Sequence, residues 1–383
     1  MTKKDIPFNK PLHIEKSLEY VRQVLTSGDG IGDGYFSKQC QGLLAQELGV
    51  PEVLLTASGT HALELAALLL NIQPGDEVII PTYTFVSTAN AFVLRGARPV
   101  FIDARPDTLN MDEAQLERLI SKRTKAVVPV HYAGVGCEMD TILKIAGEHG
   151  IPVVEDNAHG LFGRYRGRYL GTMGQLGAQS FHGTKNLSCG EGGALLINEP
   201  QYSERAMMLR DKGTNRIKFL KGEVAAYTWV DVGSSYLASD ILAAVLYAQL
   251  ENRDRIQNRR KEIWNFYAEN LRDWAEESGI RLPSVPEECE QSFHMFYLVL
   301  PSHEFREGLI RHLKSQGITS AFHYPPLNVS EMGQRLGGRP GDCPVAEDLS
   351  RRTLRLPFYY DLQQEDQVRI ISEIIKFSRV TAG

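Results

Sequence analysis

From about residue 50 to residue 200, short apolar runs alternate with longer stretches whose apolar positions recur at helical spacing. The runs Val78–Pro81, Pro99–Asp103, Ala126–Tyr132, Pro152–Asp156, Ala178–His182 and Ala194–Asn198 read as buried strands. Between several of them, Thr60–Asn71, Val86–Arg95, Met111–Ile120 and Met139–His149 read as helices. This alternation predicts an α/β fold whose mostly parallel sheet is covered on both faces. Thr60–Asn71 is apolar almost all round, so it is expected between the sheet and a further surface. Ser58, Gly59 and Thr60 supply its starting signal.

The pattern changes near residue 240. Ile241–Trp264 reads as one long helix, apolar first and then charged through Glu251, Arg253, Asp254, Arg255, Arg259, Arg260 and Lys261. Such a helix can join two domains, which predicts a large unit over 1–250, including the N-terminal segment, and a smaller α+β unit over 251–383. In the latter, His294–Leu300 and Thr319–Tyr324 are strand candidates, and Glu304–Gln316 and Glu365–Lys376 are helix candidates. Gly333–Pro344 reads as a surface loop.

Composition narrows the function classes. With 383 residues, 43% hydrophobic and 23% charged, the chain is neither disordered nor fibrous. A net charge of −5 offers no global field for nucleic acid or an anionic membrane. Met1–Lys10 has no apolar run of the signal-peptide kind, and Ala62–Leu70 contains Glu64 and is too short to span a bilayer. Five cysteines without a C-x-x-C pair argue against a disulfide framework or a metal site, which predicts a cytoplasmic protein.

Three segments carry candidate chemistry. Thr56-Ala57-Ser58-Gly59-Thr60-His61 is a small-residue turn opening a helix; it is either an ordinary N-cap or a phosphate cradle. Pro152-Val153-Val154-Glu155-Asp156-Asn157-Ala158-His159 ends a strand with two acids whose side chains point to opposite faces. One of them lies where open α/β sheets bind ligands, and it either caps a helix or holds a protonated ring nitrogen. Ser180-Phe181-His182-Gly183-Thr184-Lys185-Asn186 puts a lysine in a small polar turn after a buried strand, either solvated or able to attack a carbonyl. A phosphate cradle, a strand-end acid and a strand-end lysine together suit pyridoxal 5'-phosphate, with Tyr83-Thr84-Phe85 adding a stacking candidate.

These segments, with Pro81-Thr82-Tyr83-Thr84-Phe85 and Leu354-Arg355-Leu356-Pro357, make the chain resemble the DegT/DnrJ/EryC1/StrS aminotransferases along essentially its whole length. That resemblance implies the fold-type-I, aspartate-aminotransferase-like architecture and pyridoxal phosphate as cofactor. By position it implies that Lys185 joins the cofactor covalently and then shuttles the proton. Asp156 would hold the pyridine nitrogen, Phe85 would stack on the ring, and His159 would lie near the phenolic oxygen. Ser58, Gly59, Thr60 and Ser180 would take the phosphate.

Within the family, Gly75-Asp76-Glu77-Val78-Ile79, Val128-Pro129-Val130-His131-Tyr132-Ala133-Gly134-Val135 and Lys212-Gly213-Thr214-Asn215-Arg216 resemble the branch that makes dTDP-4-amino-4,6-dideoxygalactose. The implied substrates are dTDP-4-dehydro-6-deoxyglucose and L-glutamate, and the implied assembly is a homodimer with shared active sites. Ser235 stands where many relatives carry an asparagine that reaches the partner's cofactor phosphate, and Asn328 stands where a histidine is common. His323, Tyr324 and Asn328 are candidates for the sugar, and Lys212 and Arg216 for the nucleotide diphosphate. The gluco epimer and a 3-keto sugar remain alternative outcomes. A non-catalytic regulator on the same fold would be expected to lack Lys185 or Asp156.

Overall fold

A computed structural model describes residues 5–28 and 32–381, the side chains of 378–381 excepted. Its centre is a sheet in two ladders joined edge to edge. Glu52–Thr56, Gly193–Ile197, Leu176–Ser180 and Val154–Asp156 are neighbours in that order. Parallel bridges Val127↔Val153 and Val130↔Asp156 then lead to Thr124–Val127, Glu77–Pro81 and Arg98–Ile102. Gly193–Ile197 runs antiparallel to both its neighbours, and the other pairings are parallel. The parallel strands therefore end together at Pro81, Ile102, Asp156 and Ser180, the edge at which such sheets take ligands.

The helix Gly59–Leu69 buries Ala62, Leu63 and Leu65–Leu69, as its all-round apolarity predicts. Helices Val86–Val93 and Met139–Glu148 also follow the pattern. Three elements depart from it for local reasons. The strand expected to reach Tyr132 stops at Val127, because Pro129 has no N–H for the ladder. The chain then turns through Tyr132–Gly134 with Ala133 at φ 55°. Met111–Ile120 is not one helix: Met111 bridges Ala104, and a short 3-10 turn at Glu113–Gln115, capped by Asp112, precedes Leu116–Leu119. The long helix is two, Asp240–Glu251 and Arg253–Glu277, broken at Asn252 (φ −106°, ψ 12°). There the Asn252 side chain bonds back to the Ala248 carbonyl at 2.9 Å, in competition with the helical ladder. The expected loop at 333–344 is entered by a short helix, Glu331–Arg335, capped by Ser330.

Toward the C-terminus, Tyr297–Val299, Thr353–Arg355 and Ala321–Phe322 form an antiparallel sheet. It shares a core with Arg253–Glu277, His303–Ser315 and Gln364–Thr381 through Tyr267, Phe296, Leu309, Leu354 and Ile370. Ile6 belongs to this core and bridges Ile318, so the first described residues pack with the C-terminal elements. Tyr83, Tyr132, Met295, Tyr297 and Leu349 form a further apolar cluster that ties the large sheet's ligand edge to the smaller sheet. A cavity opens beside it.

Candidate active site

The cavity has a volume of about 700 Å³ and takes side chains from all three candidate segments. On one wall is the start of helix Gly59–Leu69. Ser58 caps it, its hydroxyl accepting from the His61 amide at 3.1 Å. The amides of Gly59 and Thr60 precede the first intrahelical bond and have no helical acceptor. Ser180 lies against them, and the approach is close enough to need glycine twice. A Cβ on Gly59 would come within 2.9 Å of Ser180 Cβ, and one on Gly193 within 2.3 Å of the Ser58 carbonyl carbon. Gly193→Ala is therefore expected to force the helix start off the strand, costing about 1–3 kcal/mol by overpacking and loosening phosphate binding. Thermal melts with and without cofactor check this, because the cofactor-induced rise in Tm should shrink along with Tm itself.

Asp156 ends its strand buried. Its Oδ2 accepts from Thr88 Oγ1 at 2.7 Å, Thr88 is in turn bonded to Thr84 at 2.8 Å, and Oδ1 accepts from the Ala158 amide at 3.1 Å. Burial pushes its carboxyl up, against the pull of Thr88, Ala158 and Lys185, so this carboxylate gains from a cation placed beside it. Glu155 faces the other way, as strand geometry requires. It accepts from the amides of Gly171, Met173 and Gly174 and pairs with His131 Nε2 at 2.8 Å. Burial alone would raise Glu155; these donors hold it below the usual carboxylate range. Glu155 thus braces the strand end from behind while Asp156 faces the cavity.

Lys185 follows the strand Leu176–Ser180 in a turn closed by its amide on the His182 carbonyl at 2.9 Å. Asn9 donates to the Gly183 carbonyl at 3.2 Å, which ties the N-terminal segment to this turn. Burial pushes the Lys185 amine down to about 8, against the attraction of Asp156 and with Arg355 adding repulsion. A neutral amine is the nucleophile. Coupling of an aldehyde to the cofactor-free protein should accordingly accelerate as pH rises through about 8. Stopped-flow absorbance against pH measures this; a midpoint near the free-lysine value would contradict the burial argument.

Opposite stand three imidazoles and a phenol. His159 stacks on His294 with centroids 4.2 Å apart and an interplanar angle of 15°. His323 lies 6.0 Å further along at 26°, with Nδ1 2.7 Å from the Tyr132 hydroxyl. Burial, with Lys185 and Arg355 nearby, holds His159 well below its ordinary pKa, and burial does the same for His294 and His323. Tyr324 brings its hydroxyl to 3.5 Å from His159 Nε2, and Phe85 faces Tyr324 at 6.0 Å with 56% of its surface open.

The structure thus brings together Ser58, Gly59, Thr60, Phe85, Asp156, His159, Ser180, Lys185, His323 and Tyr324. Four predicted site residues stand elsewhere. Asn328 is wholly buried outside the cavity; it accepts from Thr82 and donates to the Arg339 carbonyl and Glu347, so its hydrogen bonds serve the fold. Ser235, Lys212 and Arg216 line a separate cleft of about 400 Å³. There Lys212 and Arg216 both pair with Asp211, at 2.7 and 3.4 Å.

His294 and Arg355 line the cavity too, and the sequence reading did not single out either as a site residue. Arg355 is a cation inside the apolar run Leu354–Leu356, and that interruption was its one legible signal. Its Nη2 reaches the Phe322 carbonyl at 3.2 Å, its Nε is buried without a partner, and burial lowers its pKa.

A helix-start cradle, a buried strand-end carboxylate, an open aromatic face and a lysine of lowered pKa suit a pyridine-ring aldehyde phosphate. The buried, unpartnered His159 Nδ1 offers a further contact for such a group. Fold and site together define a pyridoxal-phosphate-dependent aminotransferase of fold type I. The chain belongs to the DegT/DnrJ/EryC1/StrS aminotransferase family, whose pattern matches residues 11–375. It is 32% identical over 378 residues to GDP-perosamine synthase of Escherichia coli O157:H7, covering 98% of this chain and 99% of that one. Among solved structures, Spr1654 from Streptococcus pneumoniae in its PLP form superposes with a TM-score of 0.91 at 28% identity, covering 98% and 99% of the two chains. DesV of S. venezuelae, in complex with a ketimine intermediate, gives 0.88 at 30% identity and 98% coverage of each. Among the described residues no helix is long and apolar enough to cross a membrane.

Proposed function

We propose that the enzyme moves the amino group of L-glutamate to the C4 ketone of dTDP-4-dehydro-6-deoxy-D-glucose. The products are 2-oxoglutarate and dTDP-4-amino-4,6-dideoxy-D-galactose. The observation that carries this reading is the pairing, in one cavity, of a cation that has no carboxylate partner among the described residues, its Nε unbonded, with a wall of neutral imidazoles and one phenol. The first suits the carboxylate of an amino-acid donor, and the second suits a polyhydroxylated sugar. The segments at 75–79, 128–135 and 212–216 that resemble the C4-aminating branch point to the sugar.

When bound, pyridoxal phosphate supplies a carbonyl for the donor amine and an electron sink for the carbon that loses a proton. Ser58, Gly59, Thr60 and Ser180 would hold its phosphate, Asp156 its ring nitrogen, Phe85 its face and Lys185 its aldehyde carbon. The Lys185 amine, when free, would move the proton: off the donor's α-carbon in the first half-reaction, and onto the sugar's C4 in the second. A lysine with a pKa near 8 can do both at neutral pH. Arg355 would anchor a donor carboxylate, and His323 and Tyr324 would receive sugar hydroxyls.

The same reading includes a homodimer. Around the second cleft, Leu220, Tyr227, Trp229 and Val230 are exposed, Trp229 by 78%. An apolar surface of this kind favours a second copy, with Ser235, Lys212 and Arg216 serving the partner's cavity. The same reading divides the chain near residue 250, supported by the helix break at Asn252, with the segment around Ile6 packed against the smaller C-terminal unit.

Incubation with L-[¹⁵N]glutamate and the keto sugar should place ¹⁵N on the sugar carbon C4; label at C3, or none on the sugar, defeats the substrate assignment. Arg355→Gln should weaken glutamate in the first half-reaction by roughly 10–100-fold, the worth of a charge-assisted hydrogen bond. Single-turnover bleaching of the cofactor's visible band against glutamate concentration measures it, and an unchanged concentration dependence removes Arg355 from the donor site.

A further inference from the structure

Asn186 directly follows Lys185, and its side chain is fully committed. Nδ2 donates to the Ser292 carbonyl at 2.6 Å and to Gln257 Oε1 at 3.0 Å. A backbone carbonyl can only accept, so the orientation of the amide is fixed and Oδ1 faces His294 Nδ1 at 2.9 Å. An amide oxygen also only accepts. His294 therefore carries a proton on Nδ1, and this hydrogen-bond bookkeeping settles its tautomer. Its ring lies parallel to His159, at 4.2 Å. His159 has a buried Nδ1 with no partner among the described residues and an Nε2 facing the Tyr324 hydroxyl.

We propose that Asn186 and His294 are a positioning pair for His159. Asn186 fixes His294 as the neutral Nδ1–H imidazole, and that uncharged ring holds His159 flat and uncharged, with its Nδ1 left for an oxygen of the cofactor or substrate. The inference rests on the aminotransferase reading only for the identity of that oxygen. The groups whose charge bears most on His294 are His159, Lys185, Arg260 and His323. All are basic. Arg260 donates to the carbonyl oxygens of Phe293 and His294, and no carboxylate of the described residues hydrogen-bonds to the ring, whose Nδ1 is on Asn186. A proton added to His294 would set a positive charge 4.2 Å from His159 in a desolvated wall. It would also disfavour the Lys185 ammonium. The amide at position 186 prevents this, because it accepts the Nδ1–H bond without favouring the imidazolium; a carboxylate there would favour it.

The test uses ¹⁵N-histidine NMR of the cofactor-free full chain alongside pH profiles of the loaded enzyme. In the unmutated protein, His294 should appear as the neutral Nδ1–H tautomer at pH 6. Asn186→Asp should raise its titration midpoint by about one to three units, and the acid limb of turnover should rise with it. In the double variant Asn186→Asp/His294→Phe a stacked ring is kept and the imidazole is gone, so the shift of the limb should disappear; a shift that persists belongs to the carboxyl introduced at position 186 and overturns the proposal. Finding His294 with its proton on Nε2, or charged at pH 6, overturns the proposal. So does an Asn186→Asp variant whose turnover falls evenly at every pH. The NMR arm needs neither substrate nor cofactor and decides the tautomer even if a variant fails to fold. Should the keto sugar prove not to be a substrate, the glutamate half-reaction still supplies the pH profile.

Discussion

Lys185→Ala should reduce transamination by at least about 10⁴-fold, the upper range for removing a positioned proton-transfer group. The variant loses two roles at once: covalent attachment of the cofactor and movement of the proton. The cradle formed by Ser58, Gly59, Thr60 and Ser180 is untouched, so the variant should fold with an unchanged melt and still retain the cofactor reversibly. Borohydride treatment and peptide mapping provide the sharp readout: the unmutated chain is labelled at residue 185, and the variant is labelled nowhere. A labelled lysine elsewhere in a still active variant would displace Lys185 from the mechanism.

Asp156→Asn should lower turnover by about 10²–10³-fold, the scale of removing one partner from a buried ion pair. The carboxylate is buried and pushed upward, with Thr88 Oγ1 and the Ala158 amide as its direct donors among the described residues, at 2.7 and 3.1 Å. A protonated ring nitrogen would complete its surroundings. Asparagine keeps the shape and loses the charge, so the proton on that nitrogen is no longer held. Cofactor affinity should fall far less than turnover, since the phosphate cradle and Lys185 remain. Measured single-turnover rates near those of the unmutated enzyme would remove the proposed role.

Legibility from sequence followed the physics of each element. The inner strands Glu77–Pro81 and Gly193–Ile197 are buried along their whole length and therefore appear as apolar runs, and both lie within a residue of their expected starts. Lys16–Ser27 escaped notice because it buries only Ser17, Tyr20 and Val24, a sparse stripe without a cap signal. The break at Asn252 was invisible to periodicity, since it depends on one side chain bonding to its own helix. In the site, the cradle, the acid and the lysine were legible because each sits at a strand end or helix start, with local chemistry that composition cannot mask. Arg355 and His294 were not, because their meaning depends on the C-terminal sheet folding back over Lys185. Asn328 was misplaced for the converse reason: its neighbours His323 and Tyr324 enter the cavity, while the turn after Pro326 swings its side chain onto Thr82 and Glu347.

The central claim is tested most directly by the proton NMR spectrum of the sugar product formed from dTDP-4-dehydro-6-deoxyglucose and L-glutamate. The account predicts an amine at C4 with a small coupling between H3 and H4, the mark of an axial substituent and the galacto configuration. A large coupling, or an amine at C3, would contradict it.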